Sequence, residues 1–136
     1  MTDLQELVDR NEITALLARL GRWLDGQGGD PGEIYDAEVV VRSPRGEFRG
    51  LAAVAEVAAP RPGEELAQHF HTDVLVDQDG DRATVHANQL VRFFHPDQPP
   101  HRTSGLRLTY QVRRGPQGWR VVEATIELVW LDTKSA

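Results

Sequence analysis

Four stretches in the second half of the chain are rich in β-branched and aromatic residues: LAQHFHTDVLVD (66–77), DRATVHANQLVRFFH (81–95), LRLTYQVRR (106–114) and GWRVVEATIELVWL (118–131). Between them stand QDG, HPDQPPHRTSG (95–105) and GPQG, which carry turn chemistry. Long strands joined in this way predict a curved, mainly antiparallel sheet. Such a sheet must cover one face, so the question passes to what precedes it.

From Asp3 to Asp25, apolar residues recur at Leu4, Leu7, Val8, Leu16, Leu17, Leu20, Trp23 and Leu24, mostly at helical spacing. Thr2 or Asp3 caps the start, Glu6 follows three residues after Asp3, and GQGGDPG (26–32) provides the stop. AEVVVRS (37–43) and EFRG (47–50) read as a short strand pair. LAAVAEVAA (51–59) reads as a small helix ended by Pro60 and Pro62. Helices first and a strand meander afterwards predict an α+β fold, not alternating β/α units. The 136 residues suit one domain, 1–136, with one substantial core.

Composition removes several function classes. A net charge of −6 without a long basic run argues against nucleic acid as a partner. The absence of cysteine excludes disulfides, thiolate metal sites and a cysteine nucleophile, and suits a reducing cytosol. MTDLQELVDR lacks the pattern of a secretory signal, and no segment approaches the ~18 apolar residues of a membrane span. A cytoplasmic protein with no membrane partner is expected. GQGGDPG has neither the flanking elements nor the GK[ST] of a phosphate loop, and DQDGD (77–81) fits a hairpin turn better than a calcium loop.

The chemistry concentrates in QHFHT (68–72). His69 and His71 alternate along a strand and so share a face, and His86 could approach from the next strand across the Asp-Gly turn. Three imidazoles could hold a metal ion; a proton-transfer pair and an ordinary strand pair are the other readings. Asp25 adds a second sign. A carboxylate at a helix C-terminus opposes the helix dipole, so it points to a purpose other than helix stability.

Taken together, a long helix ending in Leu24-Asp25, a glycine-containing hairpin before the small helix, QHF (68–70), a DGD turn, NQLVRF (88–93) and a final GW strand ending LVW (128–130) resemble the nuclear-transport-factor-two-like superfamily. Within it, the chain resembles the SnoaL-like and scytalone-dehydratase-like group. The resemblance spans nearly the whole chain. It implies a cone, in which a bent antiparallel sheet wraps the N-terminal helices and encloses an apolar pocket.

By position in the pattern, it implies that Asp25 and His69 are an acid–base pair acting without a cofactor or metal. It implies further that Asn88 stands where such enzymes have a second histidine, and that Ile126, Leu128 and Trp130 form a pocket wall. The shared parity of those three supports the last point independently. His71 lines or flanks the pocket, and Tyr35 either supplies a phenol to it or serves as a core aromatic.

The implied activity is that of a dehydratase, isomerase or cyclase for a small apolar, polyketide-like or aromatic molecule. A non-catalytic binding module and a metal enzyme using His69, His71 and His86 are the alternatives. A homodimer through the outer sheet face is also implied. Val121 and Val129, of opposite parity to Ile126 and Leu128, would give that face apolar area, with Glu123 and Glu127 beside them.

Overall fold

The computed structural model describes residues 3–59 and 65–133. Helix α1 runs Leu4–Leu24 and a single 3-10 turn covers Pro31–Glu33. Strands β1 (Tyr35–Ser43) and β2 (Gly46–Arg49) form a hairpin, followed by helix α2 (Leu51–Ala58). Four long strands complete the chain: β3 (Leu66–Asp79), β4 (Arg82–Phe94), β5 (Arg102–Gly115) and β6 (Gly118–Thr133). They form one open sheet in the order β2-β1-β6-β5-β4-β3. All neighbours are antiparallel except β1 and β6, because the chain crosses through α2 to the far edge before meandering back.

Both ends of α1 follow from local chemistry. Asp3 accepts a hydrogen bond from the Glu6 amide at 2.8 Å, which satisfies one of the unpaired first-turn donors. At the other end, Gly26 takes φ 83°. Its N–H donates to the Trp23 carbonyl at 3.0 Å, while the Gln27 N–H donates to that of Arg22 at 2.9 Å. Glycine suits this left-handed turn, and the turn fixes Asp25 as the C-cap. Residues Pro60 and Pro62, read as the stop of α2, lie outside the described residues, as does Thr2.

The core forms where α1 and α2 cover the sheet, with Ile13, Leu16, Leu20, Val39, Val85 and Val121 nearly or wholly excluded from solvent. Leu4, Leu7 and Val8 depart from the sequence pattern, at 77%, 56% and 42% exposed. The buried stripe starts instead at Asp9, four residues before Ile13. Asp9 accepts hydrogen bonds from the Gln5 and Gln78 amides at 2.8 Å each, and from Arg114 at 2.5 Å. Arg114 also bridges to Asp81, so one carboxylate in α1 ties the helix to two strand turns. Burial pushes the Asp9 carboxyl upward, but these amides and the guanidinium outweigh it and hold the group below the usual carboxylate range.

Three β-bulges correct expectations based on uninterrupted alternation. A register shift between Val121 and Glu123 turns Val121 into the core, not toward the outer face. A second shift, between Leu128 and Trp130, reverses Trp130 relative to Ile126 and Leu128. The third, at Asp73 and Val74, bears on the site. The loop read as 95–105 is also shorter, because Arg102–Gly105 pair with β4 and β6. Among the described residues, no helix is long and apolar enough to cross a membrane.

Candidate functional site

Strand β3 is an edge of the sheet, and the C-terminal end of α1 lies against it. Asp25 is held there by the helix cap. Its Oδ1 accepts from the His69 backbone N–H at 2.7 Å and lies 2.7 Å from His69 Nδ1. The two side chains are 9% and 14% exposed, so water screens the pair little. Two donors on one carboxylate oxygen offset the unfavourable helix-end position, which is worth roughly 0.3–1 kcal/mol.

The contact fixes the chemistry of the ring. With Asp25 ionised, His69 Nδ1–H donates to it, and Nε2 is the nitrogen left to accept a proton. Burial lowers the His69 pKa, and Asp25 opposes that shift without cancelling it. A neutral imidazole aligned by a carboxylate can act as a base, and the carboxylate stabilises the cation once the proton has moved.

His71 shares the inner face. Its Nε2 lies 3.1 Å from the Tyr110 hydroxyl and 3.2 Å from Gln89 Nε2. Burial lowers its pKa to about 4, with the neighbouring His69 adding to the shift and Asp25 opposing it. Gly21 of α1 passes close by: a Cβ built there would stand 3.7 Å from His71 Nδ1, an ordinary contact. Tyr110 is 4% exposed and Gln89 5%, so these two side chains are shielded from solvent, while His71 between them stays partly exposed. Burial also pushes the Tyr110 phenol well above its ordinary value, keeping its O–H as a donor.

Other residues singled out in the sequence separate. Tyr35 is a core aromatic packed edge-on against Trp23, and burial pushes its phenol upward. Ile126 packs against the core, while Leu128, of the same parity, is 45% exposed. Trp130 lies on the opposite face, over Gly105, at 47% exposed. Asn88 also faces outward, donating to Asp73 Oδ2 at 3.0 Å. His86 is exposed opposite the exposed Leu75, so it does not join His69 and His71. Among the described residues, no group of three metal-ligating side chains converges.

The Asp73 bulge explains the exchange of Asn88 for Gln89. Carried unbroken from the Asp79–Arg82 pair, the ladder would set Leu90 opposite His71 and Asn88 opposite Asp73. The extra residue shifts the register, so His71 faces Gln89 and His69 faces Val91. Sequence reasoning missed Gln89 and Tyr110 as neighbours of His71. Tyr110 had a signal in the inward alternation Leu106, Leu108, Tyr110, Val112; Gln89 had none without the register.

The sequence profile of the SnoaL-like domain matches residues 5–125. Three solved structures share the fold. A protein from Kribbella flavida is 20% identical, with a TM-score of 0.81 over 92% of this chain and 93% of its own. A hexachlorocyclohexane dehydrochlorinase, LinA type 2, is 13% identical, with a TM-score of 0.83 over 99% and 95%. A nuclear-transport-factor-2-like superfamily protein from Salmonella enterica is 18% identical, with a TM-score of 0.75 over 95% and 93%. The α+β cone is the fold of these three structures, and the profile match covers most of the chain: this protein belongs to the SnoaL-like domain family.

Proposed function

We propose that the chain, acting as a single domain in the cytoplasm, is a cofactor-independent proton-transfer enzyme for a small apolar, polyketide-like or aromatic molecule. Dehydration, isomerisation and cyclisation next to a carbonyl can each begin with removal of a proton from carbon. The observation that carries the reading is the 2.7 Å approach of His69 Nδ1 to Asp25 Oδ1. His69 Nε2 takes the proton, the C–H electron pair moves into the adjacent carbonyl, and Asp25 stabilises the resulting imidazolium. The same Nε2–H then returns the proton to a leaving hydroxyl or to another carbon. Fold similarity to a dehydrochlorinase supports elimination chemistry and leaves the substrate to be found.

Exchange of α-protons of small aryl ketones in deuterated buffer tests this without the natural substrate. Wild type accelerates exchange, and Asp25→Asn and His69→Ala each lose about a hundredfold or more, the usual contribution of a positioned acid or base. Exchange undiminished in both variants rejects the dyad. Binding of the same ketones without any acceleration by wild type favours the second reading, a binding module without turnover.

We also propose a homodimer through the outer sheet face. Exposed Trp130 and Val129 give it apolar area, and Arg42, Glu123, Arg107 and Glu127 give it charges of both signs. A monomer mass independent of concentration in light scattering would exclude a stable dimer.

A further inference from the structure

The His71 cluster does not balance its own hydrogen bonds. If Nε2 is unprotonated, its single in-plane lone pair accepts from the Tyr110 O–H or from the Gln89 N–H, not from both. If Nε2 carries the proton, it donates to the Tyr110 oxygen or to a turned Gln89 amide, and the Tyr110 O–H must point elsewhere. Neither Tyr110 nor Gln89 has another side-chain hydrogen bond among the described residues. Every proton arrangement therefore leaves at least one donor over. Both side chains are more than nine-tenths buried, where an unmet donor is costly.

We propose that Tyr110 and Gln89, with His71 between them, form a binding site for an oxygen atom of the ligand. Resting on the proton-transfer reading, this narrows the substrate class to carbonyl or phenolic compounds and away from halogenated hydrocarbons. An acceptor oxygen takes the surplus hydrogen bond. His71 and His69 are two residues apart on one strand face, about 6.6 Å along β3, so the oxygen site and the base fit within the span of a bicyclic molecule. When His69 removes a proton next to a carbonyl, negative charge develops on that oxygen. A donor already directed there becomes stronger at that moment than in the ground state.

Neither Asn88 nor Tyr35, both placed at the pocket by the sequence reading, reaches this site. Asn88 is on the other face and bonded to Asp73, and Tyr35 packs against Trp23. Tyr110 and Gln89 are reached only because the Asp73 bulge sets Gln89, instead of Leu90, opposite His71.

The test compares 1-tetralone with tetralin, two bicyclic probes of matched shape that differ by a carbonyl in place of a methylene. Calorimetric titration of wild type is expected to give about tenfold tighter binding of the ketone, the equivalent of one hydrogen bond to a buried donor. Tyr110→Phe and Gln89→Leu each reduce that preference to about threefold or less, with tetralin affinity unchanged. Thermal melts check that both variants fold; if Tyr110→Phe does not, Gln89→Leu decides. Equal affinity of wild type for the two probes, including no measurable binding of either, overturns the proposal, as does an intact preference in the folded variants. Asp25→Asn separates the two readings, since it loses proton exchange and keeps the ketone preference. A ketone preference in a wild type that exchanges no protons would leave the oxygen site standing and reject the dyad.

Discussion

Asn88 and Asp73 are joined on the outer side of the β3–β4 ladder at 3.0 Å, at the bulge that brings Gln89 round to His71. Asp73 takes φ 53°, a left-handed conformation that aspartate tolerates and β-branched residues resist. Asp73→Val is therefore expected to be less stable than Asp73→Gly by about 2 kcal/mol in urea denaturation. Equal stabilities would show that the bulge does not depend on this residue.

Gly21 sits in the interior of α1, facing His71. An alanine methyl there meets only ordinary contacts, while the helix gains the propensity difference of ~0.8–1 kcal/mol. Gly21→Ala should raise the melting temperature. A lower value would mean that the helix lies closer to β3 than 3.7 Å implies.

Acid should weaken the fold through the two inner histidines before it reaches the carboxylates. Burial lowers the folded-state pKa of both rings, that of His71 from 6.5 to about 4. The unfolded chain then binds protons that the folded one refuses, so this stability is present above pH ~6.5 and lost as pH falls toward 4. His71 alone contributes roughly 2 kcal/mol after allowance for its partial exposure. Urea denaturation at pH 7.5 and 4.5 should show a smaller loss in His71→Asn than in wild type. Asp9 and Glu65, whose pKa values are lowered, lose their contribution only below the ordinary carboxylate range.

The carboxylate of Asp9 depends on Arg114 for its charge partner. Arg114→Met leaves that buried charge uncompensated and should lower the melting temperature more than Asp9→Asn does. The double variant Asp9→Asn/Arg114→Met should recover part of the loss. Additive effects would mean that the two groups act independently.

The helix caps, the hairpin at Gly80 and the strand-rich second half were legible because each rests on chemistry local in the chain. Asp25 and His69 were legible as residues, one from its unfavourable helix-end position and the other from its place in QHF. What could not be read was parity beyond a bulge. One extra residue at Asp73 exchanged Asn88 and His86 for Gln89, and two shifts in β6 moved Val121 inward and Trp130 outward. Side chains alternate only while the ladder is unbroken, and bulges depend on partners distant in sequence. Asp9 was missed for a different reason: a charge on the apolar stripe is interpretable only once Gln78 and Arg114 arrive from other strands.

Proton transfer by His69 requires one protonation state of its ring, which nitrogen-15 NMR of the histidine side chains reads directly in the ligand-free protein. At pH 7, His69 should be neutral, with its proton on Nδ1 directed to Asp25 and Nε2 bare, and Asp25→Asn should disturb that tautomer. A His69 ring protonated on Nε2 at pH 7, whether as the other tautomer or as the imidazolium, would leave no lone pair to act as the base and would contradict the mechanism.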